Sequence, residues 1–389
     1  MSIKAKIMIL LKYGGSWILM FIVQLVLLAL IWRQTRGNVR RLAVAIWAVF
    51  FIAYCLVPLD FLFSLTIPVE AYRWLVLPAL IWQFAVGLAM LGLLAGVAWL
   101  GIARRIHPMQ ALPWLLGSVV FRGALWALFF AGFAFAGVGW HNALKPPTLV
   151  RHVIPVRGLR SPVTILHVTD THAGYFCGAR ELARVVEMAD SLRPDLVLLT
   201  GDQLHGSHEP FADLLRQGLA GLKAKHGVFQ VAGNHDHRLG VHRLYDQLAP
   251  LGVVALHNRH VVVETDGGPL VIAGVDDTYY GGDLRAALAD RPAGRPVLLL
   301  SHRPDVLAAA AAAGVDVVFS GHTHGGQLCL FGLCMSDFEG PFQRGLYREG
   351  GTTMNVSSGV GTTGLPLRIF SPPEVDWIVL EPADGKGGP

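Results

Sequence analysis

The chain has 389 residues, 53% of them hydrophobic and only 15% charged, with a mean hydropathy of +0.48; these values exclude an ordinary soluble globular domain as the whole of it. The 32 Lys and Arg exceed the 27 Asp and Glu by a net charge of +5, a modest and dispersed surplus that excludes a nucleic-acid footprint. Of the 16 histidines only His107 and His141 precede residue 150, so imidazole chemistry belongs to the second part of the chain.

Residues 13–32 (YGGSWILMFIVQLVLLALIW) carry no charge and supply about the twenty residues that a helix needs to cross roughly 30 Å of hydrocarbon. Residues 42–59 and 74–101 pass the same test, and residues 111–139 pass it with one charge, Arg122. Four spans are therefore predicted. The first is too long for a signal-peptide core and lacks a small-residue cleavage site. An arginine inside a span is by default a functional candidate. Residues 123–140 are long enough to cross alone, however, so Arg122 reads better as an edge marker, with 111–121 along the interface.

Orientation follows from the short connections. Arg33, Arg36, Arg40 and Arg41 lie between spans one and two, and Arg104, Arg105 and Arg122 between three and four, against Asp60, Glu70 and Arg73 between two and three. The positive-inside tendency then places the first and third connections in the cytoplasm and the domain after residue 150 outside the cell's inner membrane. Lys4, Lys6 and Lys12 oppose this orientation. Cys329 and Cys334 flank LFGL, a hairpin sequence; a cross-strand disulfide, which would suit an oxidising compartment, and a pair of buried thiols are both open.

Residues 1–144 form the predicted membrane domain and 145–160, opened by Lys145-Pro146-Pro147, a linker to a domain at 161–389. There short β-branched runs at 163–168, 195–200, 228–232, 270–275, 297–301 and 315–320 alternate with helical patterns such as 181–192 and 305–313, which implies an α/β layered sheet with parallel pairs. Runs at 353–356, 367–370 and 375–380 have no helices between them and suggest a mixed second sheet. The polar loop holding His205 and His208 reads as solvated surface. His237 is the best additional substrate contact, and Arg368 either binds a phosphate oxygen or closes a sheet edge.

The chemistry sits at the ends of the strands: Asp170-Thr171-His172, Gly201-Asp202, Gly233-Asn234-His235-Asp236, Ser301-His302 and Gly321-His322-Thr323-His324. Loops beyond the carboxyl ends of strands in an α/β sheet converge on one crevice, so these side chains can meet. Imidazoles, carboxylates and an amide oxygen without thiolates suit Mn, Fe, Zn or Co. There are too many ligands for one ion. Two divalent ions bridged by a carboxylate and a hydroxide clamp both the attacking and the leaving oxygen of a phosphoryl displacement.

The series of motifs at 170–172, 201–202, 233–236, 302 and 321–324 resembles the calcineurin-like metallophosphoesterase superfamily. Gly325-Gly326-Gln327 and the tail 358–368 (SGVGTTGLPLR) are similar to its membrane-associated bacterial branch, and the overall plan to animal transmembrane proteins with a metallophosphoesterase domain. The resemblance implies a four-layer αββα sandwich preceded by a four-helix transmembrane block. It implies that Asp170, His172, Asp202 and His324 hold one metal and Asp202, Asn234, His302 and His322 the second, with Mn expected first. It further implies that His235 is no ligand but a general acid or transition-state stabiliser, its ring oriented by Asp236.

The expected function is a membrane-anchored phosphoesterase acting on a phosphodiester, phosphomonoester or pyrophosphate of a lipid or lipid-linked substrate. Its partners would be membrane lipids and that substrate, with no nucleic acid and no protein partner. A rival is a nucleotide-linked acyl-sugar pyrophosphate hydrolase facing the cytoplasm. Another is a transporter or receptor regulated by the soluble domain, against which stands the scarcity of charge in the spans.

Overall fold

The computed structural model describes residues 15, 18–29, 32–33, 35–63, 68–106, 119–205, 209–330 and 333–383. The chain divides into two compact units, Met1–Trp140 and His141–Pro389.

The first unit holds helices α1 (Gly37–Phe63), α2 (Val69–Ile106) and all but the last residues of α3 (Val119–Ala143), which contain the apolar stretches Gly37–Leu59, Val69–Trp99 and Gly123–Ala143, each long enough to cross a bilayer. Of the predicted first span, Ile18–Ala29 is an apolar helix and the remainder lies partly outside the described residues. The described residues thus contain three helices of spanning length where four were expected. Arg122 falls at the head of α3, just before its apolar stretch. Trp82 anchors the packing of this unit, stacking on Phe50 and meeting Phe129 edge-on. Gln24 and Gln83, both buried, hydrogen-bond to each other at 2.8 Å.

The second unit is built on two six-stranded sheets. Its elements are β1 (Thr148–Val156), β2 (Val163–Val168), α4 (Ala179–Leu192), β3 (Leu196–Thr200), α5 (Glu209–Gly218), β4 (Val228–Val231), α6 (Asp236–Leu239), α7 (Val241–Leu248), β5 (Val253–Ala255), β6 (Arg259–Thr265), β7 (Gly268–Val275), α8 (Leu284–Ala287), β8 (Val297–Ser301), α9 (Leu307–Ala312), β9 (Val317–Ser320), β10 (Cys329–Leu330), β11 (Leu333–Cys334), β12 (Gly345–Glu349), β13 (Thr352–Val356) and β14 (Glu374–Pro382). The first sheet runs β1-β14-β2-β3-β4-β5, the second β12-β13-β9-β8-β7-β6.

Strands β2 to β5 are mutually parallel, as are β7, β8, β9 and β13. Their continuous apolar runs reflect burial on both faces. In β3 and β8, Leu196, Leu198, Leu298 and Leu300 point into the core between the sheets, joined by Ile165, Phe229 and Phe319. The alternate residues Val297 and Leu299 pack under α8 and α9 through Ala287, Leu307 and Ala310. On the first sheet Val197 and Leu199 are equally buried, and α4 and α7 bury Leu182, Val185, Leu244 and Leu248. This is the four-layer αββα sandwich expected from the sequence, and it brings the carboxyl ends of the parallel strands of both sheets to one edge.

Three expectations change. Residues 145–160 are not simply a linker: β1 pairs in parallel with β14 from Thr148↔Glu374 to Val156↔Pro382, because its alternating burial lets Ile154 and Val156 reach the core. The late strands do not share one sheet, since β13 joins β9 while β14 lies between β1 and β2. Residues 367–370 form no strand: the buried Arg368 guanidinium donates to the carbonyls of Ser358, Gly359 and Ser371, and Phe370 takes a left-handed backbone (φ 60°).

Candidate metal centre

The loops after β2, β3, β4, β8 and β9 carry the clustered residues, and the fold brings them together. His324 Nε2 lies 3.3 Å from Asp170 Oδ1 and 3.0 Å from His172 Nε2. His172 Nε2 is 3.6 Å from Asp202 Oδ2, which is 3.3 Å from His302 Nε2. His322 Nδ1 is 3.2 Å from His302 Nε2. Two atoms bound to a common ion at about 2.0–2.2 Å stand about this far apart. Asp170–His172–His324 and Asp202–His302–His322 each could hold an ion, as could His172–Asp202–His235. Asp202 is shared by two of these groups.

The donor set fits such ions. Asp170 Oδ1 and Asn234 Oδ1 are buried without a hydrogen-bond partner among the described residues, a costly arrangement for a polar atom unless a cation satisfies it. The remaining atoms of the same side chains are fixed. Asp170 Oδ2 accepts from Thr169 Oγ1 at 2.7 Å and from the His322 backbone N–H at 3.0 Å. His302 Nδ1 donates to the Thr200 carbonyl at 2.9 Å, which leaves its Nε2 lone pair for the site. A ring held in this way by a carbonyl is the usual support of a metal-ligating imidazole.

The backbone is strained to deliver these groups. Asp170, His172, Asp202, His322 and His324 all have positive φ, between 44° and 72°, a region that costs non-glycine residues of order 1–3 kcal/mol each. The glycines beside them serve close approach as much as rotation. A Cβ on Gly233 would meet Asp202 Oδ1 at 2.3 Å, and one on Gly321 would meet Asp170 Oδ2 at 2.1 Å.

Without an ion the carboxylates and imidazoles balance one another. Burial, against the attraction of His302, pushes the Asp170 carboxyl up to about 6. Burial also disfavours a charged His302, yet Asp202 and Asp170 push it up to about 10. Asp202 is correspondingly held well below its ordinary value by His302 and His235, although burial opposes this. Burial keeps His172 and His324 neutral, assisted by His235 and Arg368 respectively.

His235 is buried next to this cluster, its ring 4.7 Å from that of His172 and perpendicular to it. Its backbone N–H donates to Asp202 Oδ1 at 2.7 Å, its Nδ1 to the His205 carbonyl at 3.3 Å, and its Nε2 lies 3.4 Å from Thr363 Oγ1. The expectation that Asp236 orients this ring is corrected. The Asp236 carboxylate accepts the backbone N–H groups of Leu204 and Gly233, both at 2.9 Å, so it clamps two loops together while a main-chain carbonyl sets the ring.

His205 likewise departs from the solvated surface expected of it: its ring lies 5.8 Å from that of His172. His208 is outside the described residues. His237 stacks on Tyr280 at 4.5 Å. Arg368 is fully buried rather than closing a sheet edge; besides the carbonyls it holds, its guanidinium is 3.4 Å from His324 Nδ1.

Several supporting residues escaped sequence reasoning. Glu339 Oε2 lies 3.5 Å from His322 Nε2 and 3.3 Å from Arg303, and it belongs to an irregular segment with no motif around it. Gln327 bonds the main chain of Thr363 in both directions and the carbonyl of Leu365. Both partners lie in the flagged glycine-rich tail, which was the available signal. Cys329 and Cys334 are disulfide-bonded across β10 and β11.

Residues 163–326 match the calcineurin-like phosphoesterase family. A protein of Aquifex aeolicus (strain VF5) called an uncharacterized metallophosphoesterase is 33% identical over 234 residues, 58% of this chain and 86% of its own. The chain belongs to the calcineurin-like metallophosphoesterase family. It is also similar to a transmembrane protein with metallophosphoesterase domain of Danio rerio, 34% identical over 287 residues and 69% of this chain. An uncharacterized metallophosphoesterase of Helicobacter pylori (strain J99 / ATCC 700824) is 31% identical over 252 residues, 63% of this chain. The chain spans 65% and 66% of the lengths of these two relatives.

Proposed function

We propose that the chain is a membrane-anchored, two-metal phosphoesterase that hydrolyses a lipid or lipid-linked phosphoester. The observation that carries this reading is the convergence of Asp170, His172, Asp202, His302, His322 and His324 on one edge of the sandwich, with Asp170 Oδ1 and Asn234 Oδ1 lacking a hydrogen-bond partner among the described residues. Asp170, His172, Asp202 and His324 would hold one divalent ion and Asp202, Asn234, His302 and His322 the other, with Mn the first choice for a mixed nitrogen and oxygen set. Such a pair supplies the hydrolytic nucleophile and offsets charge on the phosphoryl oxygens.

The protein's own groups do the rest. His235 keeps one proton on Nδ1 against the His205 carbonyl, so that in its doubly protonated form the second proton, on Nε2, would pass to the departing oxygen and leave the ring neutral. Thr363 steadies that edge of the ring. The tight Asp236 clamp keeps the loops carrying His205 and His235 in register.

Three apolar helices of spanning length support a multi-pass protein of the inner membrane. The disulfide and the arginines of the short connections support a catalytic unit outside the cytoplasm, and so speak against the cytoplasmic acyl-sugar pyrophosphate hydrolase. The test is purified full-length protein, stripped with chelator and reloaded with Mn, Fe, Zn or Co, assayed on phospholipids, nucleotide-sugar lipids and a chromogenic phosphodiester. Metal-dependent release of phosphate or headgroup from a lipid is expected. The reading fails if no phosphoester in the panel is cleaved with any of these metals.

A further inference from the structure

Beside the metal centre the surface of the catalytic unit carries large apolar side chains that the mechanism does not use. Phe370 is 79% exposed, Leu333 75% and Met335 46%. They lie on one construction. The Cys329 backbone N–H donates to the Ile369 carbonyl at 3.1 Å and that of Ile369 to Gln327 at 2.8 Å, so the β10–β11 hairpin and the segment leading to Phe370 are zipped side by side. The disulfide staples the hairpin.

Phe370 is held outward at a conformational cost, since a left-handed backbone is unusual for an aromatic residue, and here φ is 60°. The Arg368 guanidinium and its carbonyl partners fix that bend from below. Strain of this kind persists where the surroundings over-determine it, and it gathers at functional surfaces.

The second observation is where this segment is tied. Asn142, in the last turn of α3 and within the His141–Pro389 unit, donates from Nδ2 to the Arg368 carbonyl at 3.3 Å. The apolar stretch of α3 ends at Ala143. Arg368, two residues from Phe370, is therefore bonded to the end of a helix long enough to cross a bilayer.

We propose that Phe370, Leu333 and Met335 form a docking surface that enters the interfacial layer of the membrane in which the chain is anchored. The inference rests on the anchoring stated under the proposed function and deepens it. Apolar side chains presented at the end of a span bury themselves among headgroups and upper acyl chains without crossing. Gln327 passes this contact to the site, because it bonds both to Ile369 in the docking segment and to Thr363, which touches His235. The occupant is the bilayer itself, not a second protein.

The test uses full-length protein in proteoliposomes of phosphatidylethanolamine and phosphatidylglycerol, with the photo-crosslinking residue p-benzoylphenylalanine in place of Phe370 or Leu333. Val262, on the sheet edge strand β6, and Trp126, within the apolar stretch of α3, are the negative and positive control positions. Irradiation should give lipid adducts at 370 and 333 several-fold above those at 262. Adducts at 126 with none above the 262 level at 370 and 333 overturn docking while leaving the anchor intact, and so do protein–protein products at 370 and 333. No adducts at any position overturn both.

A second readout separates docking from substrate choice. The double variant Phe370→Ser/Leu333→Ser should cleave a chromogenic phosphodiester at the normal rate and lose most turnover of lipid in vesicles. If adducts form yet no lipid is cleaved by the unaltered protein, docking stands and the lipid substrate falls.

Discussion

Asp202 holds two histidines by different means: its Oδ1 accepts the backbone N–H of His235 at 2.7 Å, and its Oδ2 lies 3.3 Å from His302 Nε2. One carboxylate thus positions the His235 backbone and faces both groups of candidate ligands. Asp202→Ala is expected to abolish binding of both ions and to displace the His235 loop. Elemental analysis of the purified variant, alongside a structure or histidine NMR spectrum, reads both effects. Two ions retained at full occupancy would reject the shared role.

His235→Ala should separate metal content from rate. The ring stands within reach of His172 and Asp202, but its nitrogens face His205 and Thr363. Loss of a positioned proton donor lowers turnover by about 10²–10⁴. Metal content near two with turnover reduced on that scale is the expected pair of results, whereas loss of one ion makes His235 a ligand.

Asp376 gives a pH dependence with a definite sign. Burial first, then Glu374, pushes its carboxyl from 3.8 up to about 7. The folded state therefore keeps a proton that the unfolded chain releases at lower pH. The stability this contributes is full below about 3.8 and is lost as pH rises through about 7. His167, held near 3 by burial, slopes the opposite way in acid, so the whole-protein profile mixes the two. Asp376→Asn isolates the carboxyl: thermal midpoints measured across this range should show the variant gaining on the parent as pH rises, then levelling off. A constant difference would mean that folding leaves the Asp376 carboxyl at its ordinary value.

In the membrane unit, Gln83→Leu should weaken helix packing. The Gln24–Gln83 hydrogen bond is buried, and such bonds between apolar helices contribute about 0.6 kcal/mol, up to about 1.7. Unfolding of the detergent-solubilised protein by a denaturing detergent would read a loss of that size. An unchanged midpoint would show that the pair adds nothing.

Much of the site was legible because each cluster follows a run that could only be a buried strand. The run LVLL in β3 and the Gly-Asp after it announce both the strand and its loop, and parallel topology does the converging. The supporting contacts were not legible because they are made by main-chain atoms or by distant irregular segments. Nothing in Gly-Asn-His-Asp distinguishes an Asp236 that grips the N–H of Leu204 from one that grips an imidazole. Nor does Arg368 advertise a partner, since carbonyls of any residue serve it equally. The edge strand β1 was missed because Pro146 and Pro147 suggested a tether, and its partner β14 is more than two hundred residues away.

That last pairing bears on how the protein is made. Strand β1 emerges from the ribosome directly after α3, yet among the described residues of its sheet it pairs only with β14. At about 5–20 residues per second, synthesis leaves this edge without a neighbour for on the order of ten seconds or more. The nascent chain thus presents an open strand beside the membrane while the intervening strands assemble. Closure comes when β14 inserts between β1 and β2, antiparallel to one and parallel to the other. A ribosome stalled before residue 374 would release a catalytic unit with its first sheet unsealed, a substrate for quality-control proteases.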